Sequence, residues 1–382
     1  MVKYNVAFLG GGVNSAVGEA HFSSLNLLGN VQIVAGCFSR DSDINKISGI
    51  RYNVNLERLY NSLEELIVNE KGKIDLIIIL TPSNQHKSQV IKCIENDIPV
   101  ICEKSLSCDL NEIREIEYHY QKRKNFLAVI YNYLGYPMIR ELKSLVQKNN
   151  FGKLLHIQIE MPQESFIRVN NDGVPLTPQN WRLKDGEIPT ILLDLGVHLH
   201  SIIKYVTNLK PVNCVSISTS AGNFSAIKDN ISSIIEYENG MICNMWISKV
   251  ASGNRNGLGI KIFGETGSAE WIQEKPEILL IANNKGKRLI LDRGSNDILI
   301  ANSPRYTRFK AGHPSGFIEA LANYYFDIFK SYDDFLKSND SVLTDCYGIK
   351  ESIEGLFLLK GITDSSNSKK WEKIMFSNKL ND

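Results

Sequence analysis

A lysine just beyond a short apolar run is the first residue with an evident chemical use. Residues 98–102 read Ile-Pro-Val-Ile-Cys and lead straight into Glu103 and Lys104. In open α/β sheets, ligands gather beyond the carboxyl ends of the strands. If residues 98–102 form such a strand, the ammonium of Lys104 lies where it can touch a cofactor or stabilise a developing alkoxide.

An acid and a histidine four residues apart are the second candidate. Asp194 and His198 stand in an apolar stretch, and their spacing puts both on one face of a helix. A carboxylate beside an imidazole can fix its tautomer and keep its pKa near neutrality, which is a device for proton transfer. The same pair can equally be a structural hydrogen bond. His200 falls on another face, and we expect it to be structural.

Three consecutive glycines end the first apolar run of the chain. Residues 4–9 are apolar, the glycines follow, and a helical pattern covers residues 15–28. Glycine permits a tight turn and close approach to a pyrophosphate, which the helix N-terminus attracts. The alternative is an ordinary glycine turn, and Ser15 replaces the third glycine of the dinucleotide-binding pattern. The residues that we expect to cradle a dinucleotide are Gly10, Gly12, Val13 and Asn14.

The end of the second predicted strand bears on which dinucleotide binds. Residues 31–38 have a strand pattern and are followed by Ser39, Arg40 and Asp41. An NAD site usually places an acid here for the ribose 2′-hydroxyl, whereas a guanidinium binds a 2′-phosphate in a fork. Ser39 and Arg40 therefore favour NADP, and Asp41 leaves NAD open.

The third predicted strand ends in a group of polar residues. Residues 74–80 are continuously apolar, as in a strand that is buried on both faces, and Thr81 to His86 follow them. We expect Thr81, Ser83 and His86 to face the ribose and pyrophosphate of the cofactor. Alternatively, Ser83 or Asn84 caps a helix, and His86 is merely solvated in its first turn.

The elements that must position these residues fall into two parts. Over residues 1–132, strand and helix patterns alternate, which predicts an α/β domain with a parallel doubly wound sheet. Over residues 133–382, two-residue alternation and turn signals predict an α+β domain with a large, open, mostly antiparallel sheet. Within that second part, residues 190–207 are predicted to be helical. The C-terminal helical stretches, 313–337 and 346–362, are expected to pack back, in part on the first domain.

Composition narrows the class of protein. The chain has 382 residues, 43% of them apolar and 22% charged, with a formal net charge of +1. This is ordinary for a globular enzyme and gives no sign of a nucleic-acid surface or a membrane span. Seven scattered cysteines without a C-x-x-C pair argue for a reducing compartment and against a zinc site. With no signal-peptide pattern at the N-terminus, we expect a cytoplasmic protein without a metal.

Taken together, these residues resemble the Gfo/Idh/MocA oxidoreductases, the family of glucose–fructose oxidoreductase and inositol dehydrogenase. The resemblance covers nearly the whole chain. It rests on the glycine loop, Thr81-Pro82 with His86, Glu103-Lys104 where the family has Glu-Lys-Pro, and Asp194-x-Gly-x-His198. Ser105 stands in place of the family's proline. The order and spacing of all four motifs together are specific, whereas each motif alone is not.

The resemblance implies a Rossmann domain followed by a sheet domain that often forms dimer or tetramer contacts. It implies that Lys104 contacts the substrate oxygen and the nicotinamide ribose. Asp194 and His198 would line the substrate pocket, with His198 as the proton carrier. Glu103 and Asn132 join the expected cofactor residues. The remaining residues that we expect at the substrate are Tyr133, Trp181 and Arg182, of which the last two can alternatively anchor a loop.

The predicted function is NADP- or NAD-dependent hydride transfer to or from a secondary alcohol or ketone of a sugar, sugar derivative or cyclitol. A homodimer or homotetramer through the C-terminal sheet is expected, with no nucleic-acid or membrane partner. Two alternatives remain open. One is a glycoside-cleaving enzyme that retains its NAD, and the other is a non-catalytic NAD(P)-binding regulator.

Overall fold

The computed structural model describes residues 4–338 and 342–376. The chain forms two compact units. The first comprises residues 1–135 and 317–353, and the second comprises residues 136–316 and 354–382. Among the described residues, no helix is both long and apolar enough to cross a membrane.

The first unit contains a parallel sheet whose central strand is fully buried. Its strands are β1 (Tyr4–Gly10), β2 (Val31–Cys37), β3 (Leu76–Leu80), β4 (Val100–Cys102) and β5 (Leu127–Val129). They lie in the order β2-β1-β3-β4-β5, and each pair is parallel. β3 reads Leu-Ile-Ile-Ile-Leu, and none of its side chains is more than 5% exposed. Such a strand is typical of a sheet that helices cover on both faces.

Helices connect these strands, and several have a side-chain cap at the N-terminus. They are α1 (Gly18–Asn26), α2 (Ser42–Arg51), α3 (Leu63–Glu70), α4 (His86–Glu95), α5 (Leu110–Arg123) and α8 (Phe317–Ser338). Asp41 caps α2 by accepting from two backbone N–H groups, Ser62 caps α3 and Asp109 caps α5. Such caps satisfy donors that a helix leaves without partners.

The second unit contains a nine-stranded sheet. Its strands are β6 (Leu154–Pro162), β7 (Pro211–Thr219), β8 (Asn230–Tyr237), β9 (Ile242–Ser248), β10 (Gly259–Gly264), β11 (Gly267–Ile272), β12 (Leu279–Asn283), β13 (Arg288–Leu291) and β14 (Glu372–Lys373). The order is β13-β12-β11-β10-β6-β9-β8-β7-β14. β6 and β9 run parallel, and the other pairs are antiparallel. Burial alternates along β8, so one face of the sheet is covered and the other is open.

The helices of the second unit are α6 (Pro137–Gln147), α7 (Val197–Thr207) and most of α9 (Ile349–Ser368). A π-helical turn, Leu192–Gly196, leads directly into α7. Residues 197–206 are all buried. Gly196 allows close packing here, because a Cβ atom on it would lie 2.9 Å from Leu359 Cδ2. The π-helical turn carries Asp194, and α7 carries His198.

The structure confirms the predicted fold class, a parallel sheet followed by a mostly antiparallel open one. Three features differ from the patterns in the sequence. The last strands of the second sheet, β12 to β14, were not predicted, nor was the parallel pairing of β6 with β9. The predicted helix 190–207 contains the π-helical turn instead of continuing as a regular α-helix.

Candidate active site

The glycine loop lies at the point in the first sheet where the strand order reverses. β1 is flanked by β2 and β3, and Gly10 is paired with Leu80 at the carboxyl ends of their strands. Ligands of open α/β sheets bind in the crevice at such a switch point. Gly10 and Gly11 have φ values of +81° and +73°. A Cβ atom on Gly18 would lie 1.9 Å from the Gly11 oxygen, so α1 begins as close to the loop as glycine allows.

Two observations show that the residues at this edge fit a dinucleotide. The glycine loop presents backbone instead of side chains, and exposed Val13 and Asn14 lie on its solvent side. In addition, the buried Asn132 Nδ2, just beyond β5, has no hydrogen-bond partner within residues 4–338 and 342–376. Buried amide donors are normally bonded, so this donor is suited to a ligand atom.

The residues that follow β2 bring a guanidinium to the same edge. Arg40 Nη2 donates to Gln85 Oε1 at 3.3 Å. Ser39 Oγ accepts from the Asp41 N–H at 3.1 Å. Asp41 Oδ1 accepts from the N–H groups of Asp43 and Ile44, both at 3.0 Å. The carboxylate of Asp41 is thus engaged in capping α2.

The segment after β3 is organised around His86. Its Nδ1 lies 2.6 Å from the Ser105 oxygen, and its Nε2 lies 2.7 Å from the Thr81 oxygen. The ring is completely buried, and burial lowers the pKa of His86 even though both hydrogen bonds oppose that shift. His86 therefore braces the chain beyond β3 against the chain beyond β4 and is not solvated, contrary to one of the alternatives above. The other part of that alternative, a cap on α4 by Ser83 or Asn84, is also absent, since α4 has no side-chain cap.

Glu103 and Lys104 follow β4 at the edge of the sheet that carries the glycine loop. Glu103 Oε2 accepts from the Lys104 N–H at 3.0 Å, and Oε1 lies 3.0 Å from His21 Nε2. Burial favours the neutral acid, but the hydrogen bond from His21 and the charge and N–H of Lys104 outweigh it, so the pKa of Glu103 is lowered. The peptide bond between Lys104 and Ser105 is cis.

The chain beyond β5 completes this edge. Residues 132–135 form a short 3-10 turn in which Asn132 and Tyr133 are 5% and 6% exposed. A Cβ atom on Gly135 would lie 1.8 Å from the Ala320 oxygen, so α8 packs directly on this turn. The edge therefore brings together the sequence-predicted residues Gly10, Gly12, Val13, Asn14, Ser39, Arg40, Thr81, Ser83, His86, Glu103, Lys104, Asn132 and Tyr133.

In the second unit, the carboxylate of Asp194 is held by two cations. Lys249 Nζ lies 2.6 Å from Asp194 Oδ2, and Arg182 Nη1 is bonded to the same oxygen. Asp194 and Lys249 are 8% and 3% exposed. Buried charges need such partners, because the low dielectric makes an isolated carboxylate very costly. The sequence-predicted pocket residue Trp181 lies beside this group, with its ring 4.3 Å from the Arg182 guanidinium carbon.

His198 and His200 share α7 but have different surroundings. His198 is 5% exposed, and its carbonyl accepts from Ser201 Oγ at 2.8 Å. His200 Nε2 lies 3.6 Å from Glu354 Oε1, and Glu354 Oε2 accepts from Lys204 at 3.0 Å. Burial and the charge of Lys204 lower the pKa of His200 to about 3. His200 is therefore a neutral, buried residue of the helix packing.

Two residues of the site were missed from the sequence. Lys249 follows the apolar strand β9, which is the same signal that singled out Lys104 after β4. His21 was not identified from the sequence as a partner of Glu103. Its partner lies 82 residues further along the chain, and no local spacing reveals that contact.

Comparisons with known proteins agree with this geometry. A family model described as an oxidoreductase family with an NAD-binding Rossmann fold matches residues 4–131. A second model, the Gfo/Idh/MocA C-terminal domain, matches residues 139–270. The uncharacterized oxidoreductase YfiI of Bacillus subtilis (strain 168) is 26% identical over 377 residues, which is 94% of each chain.

Solved structures share the fold over almost the full length. An inositol dehydrogenase homologue from Azotobacter vinelandii, complexed with NADH and myo-inositol, gives a TM-score of 0.88 at 22% identity, covering 97% of this chain and 98% of that one. A levoglucosan dehydrogenase in complex with NADH and levoglucosan gives a TM-score of 0.82 at 16% identity, covering 97% and 99%. With both of its domains matched by family models, the chain belongs to the Gfo/Idh/MocA family of oxidoreductases.

Proposed function

We propose that the protein transfers a hydride between a nicotinamide dinucleotide and a secondary alcohol or ketone of a sugar, sugar derivative or cyclitol. The observation that carries this proposal is that Lys104 and the glycine loop share one edge of the parallel sheet. Ligands of open α/β sheets bind at that edge, so the ammonium of Lys104 would lie beside a bound dinucleotide. Myo-inositol and levoglucosan, which are bound by structural neighbours, are rings with secondary alcohols.

Side chains of the protein would stabilise the substrate oxygen and accept or donate its proton. Bound at the glycine loop, a nicotinamide dinucleotide would supply the hydride acceptor or donor. We assign the ammonium of Lys104 to stabilising the alkoxide, and the ring of His198 to taking the hydroxyl proton. Asp194, held by Arg182 and Lys249, would accept a hydrogen bond from a substrate hydroxyl.

Two further substrate contacts belong to this proposal. Tyr133 follows Asn132 at the cofactor edge, and the ring of Trp181 offers an aromatic face for a sugar. Arg182 is bonded to Asp194 and stacked on Trp181. We therefore assign Arg182 to orienting Asp194 and Trp181, although a guanidinium also suits a phosphate or carboxylate on the substrate.

NADP is the dinucleotide that we propose. Arg40 and Ser39 follow β2, where the adenosine ribose of a dinucleotide lies in this fold. Both helix-capping bonds of Asp41 go to Oδ1, which turns its carboxylate toward α2. A guanidinium binds a phosphate in a fork, so Arg40 favours the 2′-phosphate. The structural neighbours contain NADH, so the comparison of the two dinucleotides is a direct test.

The experiment combines binding with turnover. Thermal shifts with NADP and NAD are measured first, and reduced-nicotinamide absorbance is then followed over a panel of sugars, sugar phosphates, nucleotide sugars and inositols. We expect dinucleotide-dependent oxidation or reduction of at least one polyol, with NADP preferred. Glycoside cleavage with a co-purifying cofactor and no net absorbance change would contradict the proposal. Dinucleotide binding without turnover of any compound would instead favour a regulator.

We also propose that the protein forms a homodimer or homotetramer through the open face of the nine-stranded sheet. Large apolar side chains are exposed on this sheet, among them Ile217, Ile234, Phe263 and Ile290, which are 38–68% exposed. Contiguous exposed apolar surface commonly marks an interface. All seven cysteines are unpaired, which supports a reducing compartment, and we propose the cytoplasm.

A further inference from the structure

Two buried side chains and one partly buried side chain form a hydrogen-bonded chain beside Lys104. Tyr325 Oη lies 2.6 Å from His21 Nδ1, and His21 Nε2 lies 3.0 Å from Glu103 Oε1. Glu103 Oε2 then accepts from the Lys104 N–H at 3.0 Å. Tyr325 and His21 are 0% and 1% exposed. None of the roles assigned above explains why the carboxylate of Glu103 is held on both oxygens.

The donors and acceptors of this chain match with a neutral imidazole. Tyr325 donates its O–H to Nδ1, and Nε2–H donates to Glu103, so each nitrogen of His21 is used once. This tautomer is inferred from the hydrogen-bond network. Both oxygens of Glu103 then accept a bond, which fixes the plane of its carboxylate. The orientation of the Lys104 N–H is fixed in turn.

The three side chains come from three separate elements. His21 lies on α1, Tyr325 lies on α8, and Glu103 follows β4. The rings of His21 and Tyr325 also meet edge to face, with centroids 5.8 Å apart. The glycine loop precedes α1, so the same helix that begins at the dinucleotide edge carries the residue that holds Glu103. This couples the position of Lys104 to the position of that helix.

We propose that His21 is a positioning residue of the active site, which holds the Glu103 carboxylate and through it the main chain of Lys104. This inference rests on the proposed function for Lys104. His21 itself touches neither substrate nor dinucleotide in this scheme. Without its donor, Oε1 of Glu103 would turn toward water, and the N–H of Lys104 would lose a fixed acceptor.

Two substitutions of His21 separate this role from simple loss of a buried ring. His21→Gln places an amide N–H near the position of Nε2 and keeps the bond to Glu103. His21→Asn reaches only the position of Nδ1 and loses that bond. Both remove the buried imidazole, so both are expected to lower the melting temperature. His200→Asn, in the second unit, is the matched control for loss of a buried histidine.

The first readout is hydrogen exchange of the peptide that contains Lys104, measured on the protein without added dinucleotide. We expect faster exchange in His21→Asn, and wild-type exchange in His21→Gln and His200→Asn. The double variant His21→Asn/Glu103→Gln should exchange no faster than Glu103→Gln alone, because both changes break the same chain. If His21→Asn does not fold, His21→Phe replaces it, because its ring fills the buried space without a donor for Glu103, and the same faster exchange is expected.

The second readout is the split between kcat and KM. A misplaced reacting group lowers the rate of the chemical step, so we expect His21→Asn to lose about tenfold in kcat with KM nearly unchanged. His21→Gln should recover most of that loss. Wild-type exchange at Lys104 in His21→Asn or its replacement would overturn the proposal. If the wild type turned over no substrate at all, the proposed function would fail, yet the exchange experiment would still decide the role of His21.

Discussion

The carboxylate of Asp194 is held in position by two cationic side chains that are distant from it in the sequence. Arg182 precedes it by 12 residues and Lys249 follows it by 55. The four-residue spacing to His198 predicted the pair of chemical groups, but it gave no information on these partners. Contacts between distant elements depend on how the whole unit packs. The spacing of residues within one segment cannot predict that packing.

Lys249→Met tests whether its ion pair with Asp194 holds that carboxylate in position. Removing one partner of a buried ion pair leaves a charge poorly compensated, so we expect the free energy of unfolding to fall by about 3 kcal/mol. Lost orientation of Asp194 should lower kcat/KM by about tenfold. Urea unfolding and steady-state kinetics measure the two effects. Lys92→Met, which breaks a pair with exposed Glu64, is the control and should cost less than about 1 kcal/mol. Equal effects of Lys249→Met and Lys92→Met would argue against a role of Lys249 in holding Asp194.

His200 makes stability depend on pH with a definite sign. Its pKa is about 3 in the folded protein against 6.5 for an unperturbed histidine. Between those values the unfolded chain binds a proton that the folded chain does not, so stability falls as the pH falls below about 6.5. The slope for one such group is about 1.4 kcal/mol per pH unit. The free energy of unfolding is measured at pH 7 and at pH 5. In His200→Asn, the contribution of this histidine to the loss of stability between the two pH values should disappear. An unchanged slope would mean that other groups cause it.

At the scale of elements, the glycine loop was predictable and the π-helical turn was not. The loop is specified by residue types with a local meaning, glycines between an apolar run and a helix. The π-helical turn at residues 192–196 has the apolar pattern of an ordinary helix. The extra residue in a π-helical turn shifts the helical phase of the residues that follow. In a segment that is apolar on all sides, this shift does not alter the hydrophobic pattern, so hydrophobic periodicity cannot detect it.

Gly18→Ala tests the loop as a binding element. A Cβ atom at this position would lie 1.9 Å from the Gly11 oxygen, so the loop or the start of α1 must move. We expect the dissociation constant for the dinucleotide to rise at least about tenfold, as when main-chain donors are displaced by an ångström. Gly186→Ala is the control, since no atom lies within 4 Å of its Cβ position. Titration by intrinsic fluorescence measures both. Wild-type affinity in Gly18→Ala would remove the loop from the binding site.

At the scale of the molecule, the order of the elements was easier to predict than their grouping. Strand alternation identified the two kinds of sheet from local patterns alone. The helix α8 belongs to the first unit although residues 136–316 of the second unit precede it in the chain. An amphipathic pattern tells that a helix is packed, but it does not tell which sheet the helix packs on. Short exposed strands such as β13 escape detection because little of their surface is buried.

Ile234→Lys tests the sheet as an interface between copies of the chain. Ile234 lies on the open face of β8 and is 42% exposed. A charge buried in an apolar interface without a partner is strongly unfavourable, so we expect the oligomer to dissociate. Light scattering coupled to size exclusion gives the mass. Val68→Lys, at an 81% exposed position on α3, should leave the mass unchanged. If Ile234→Lys had the same oligomeric mass as the wild type, the interface would have to lie elsewhere.

The most direct test of the account is the turnover of Lys104→Met and of His198→Asn on the best substrate of the panel. Loss of a group that stabilises an alkoxide or carries its proton should lower kcat/KM at least about a hundredfold in each variant. Both variants should still bind the dinucleotide, because the glycine loop is intact. Lys92→Met, which changes an exposed lysine, should keep wild-type kinetics. Near-wild-type turnover in both Lys104→Met and His198→Asn would contradict the account.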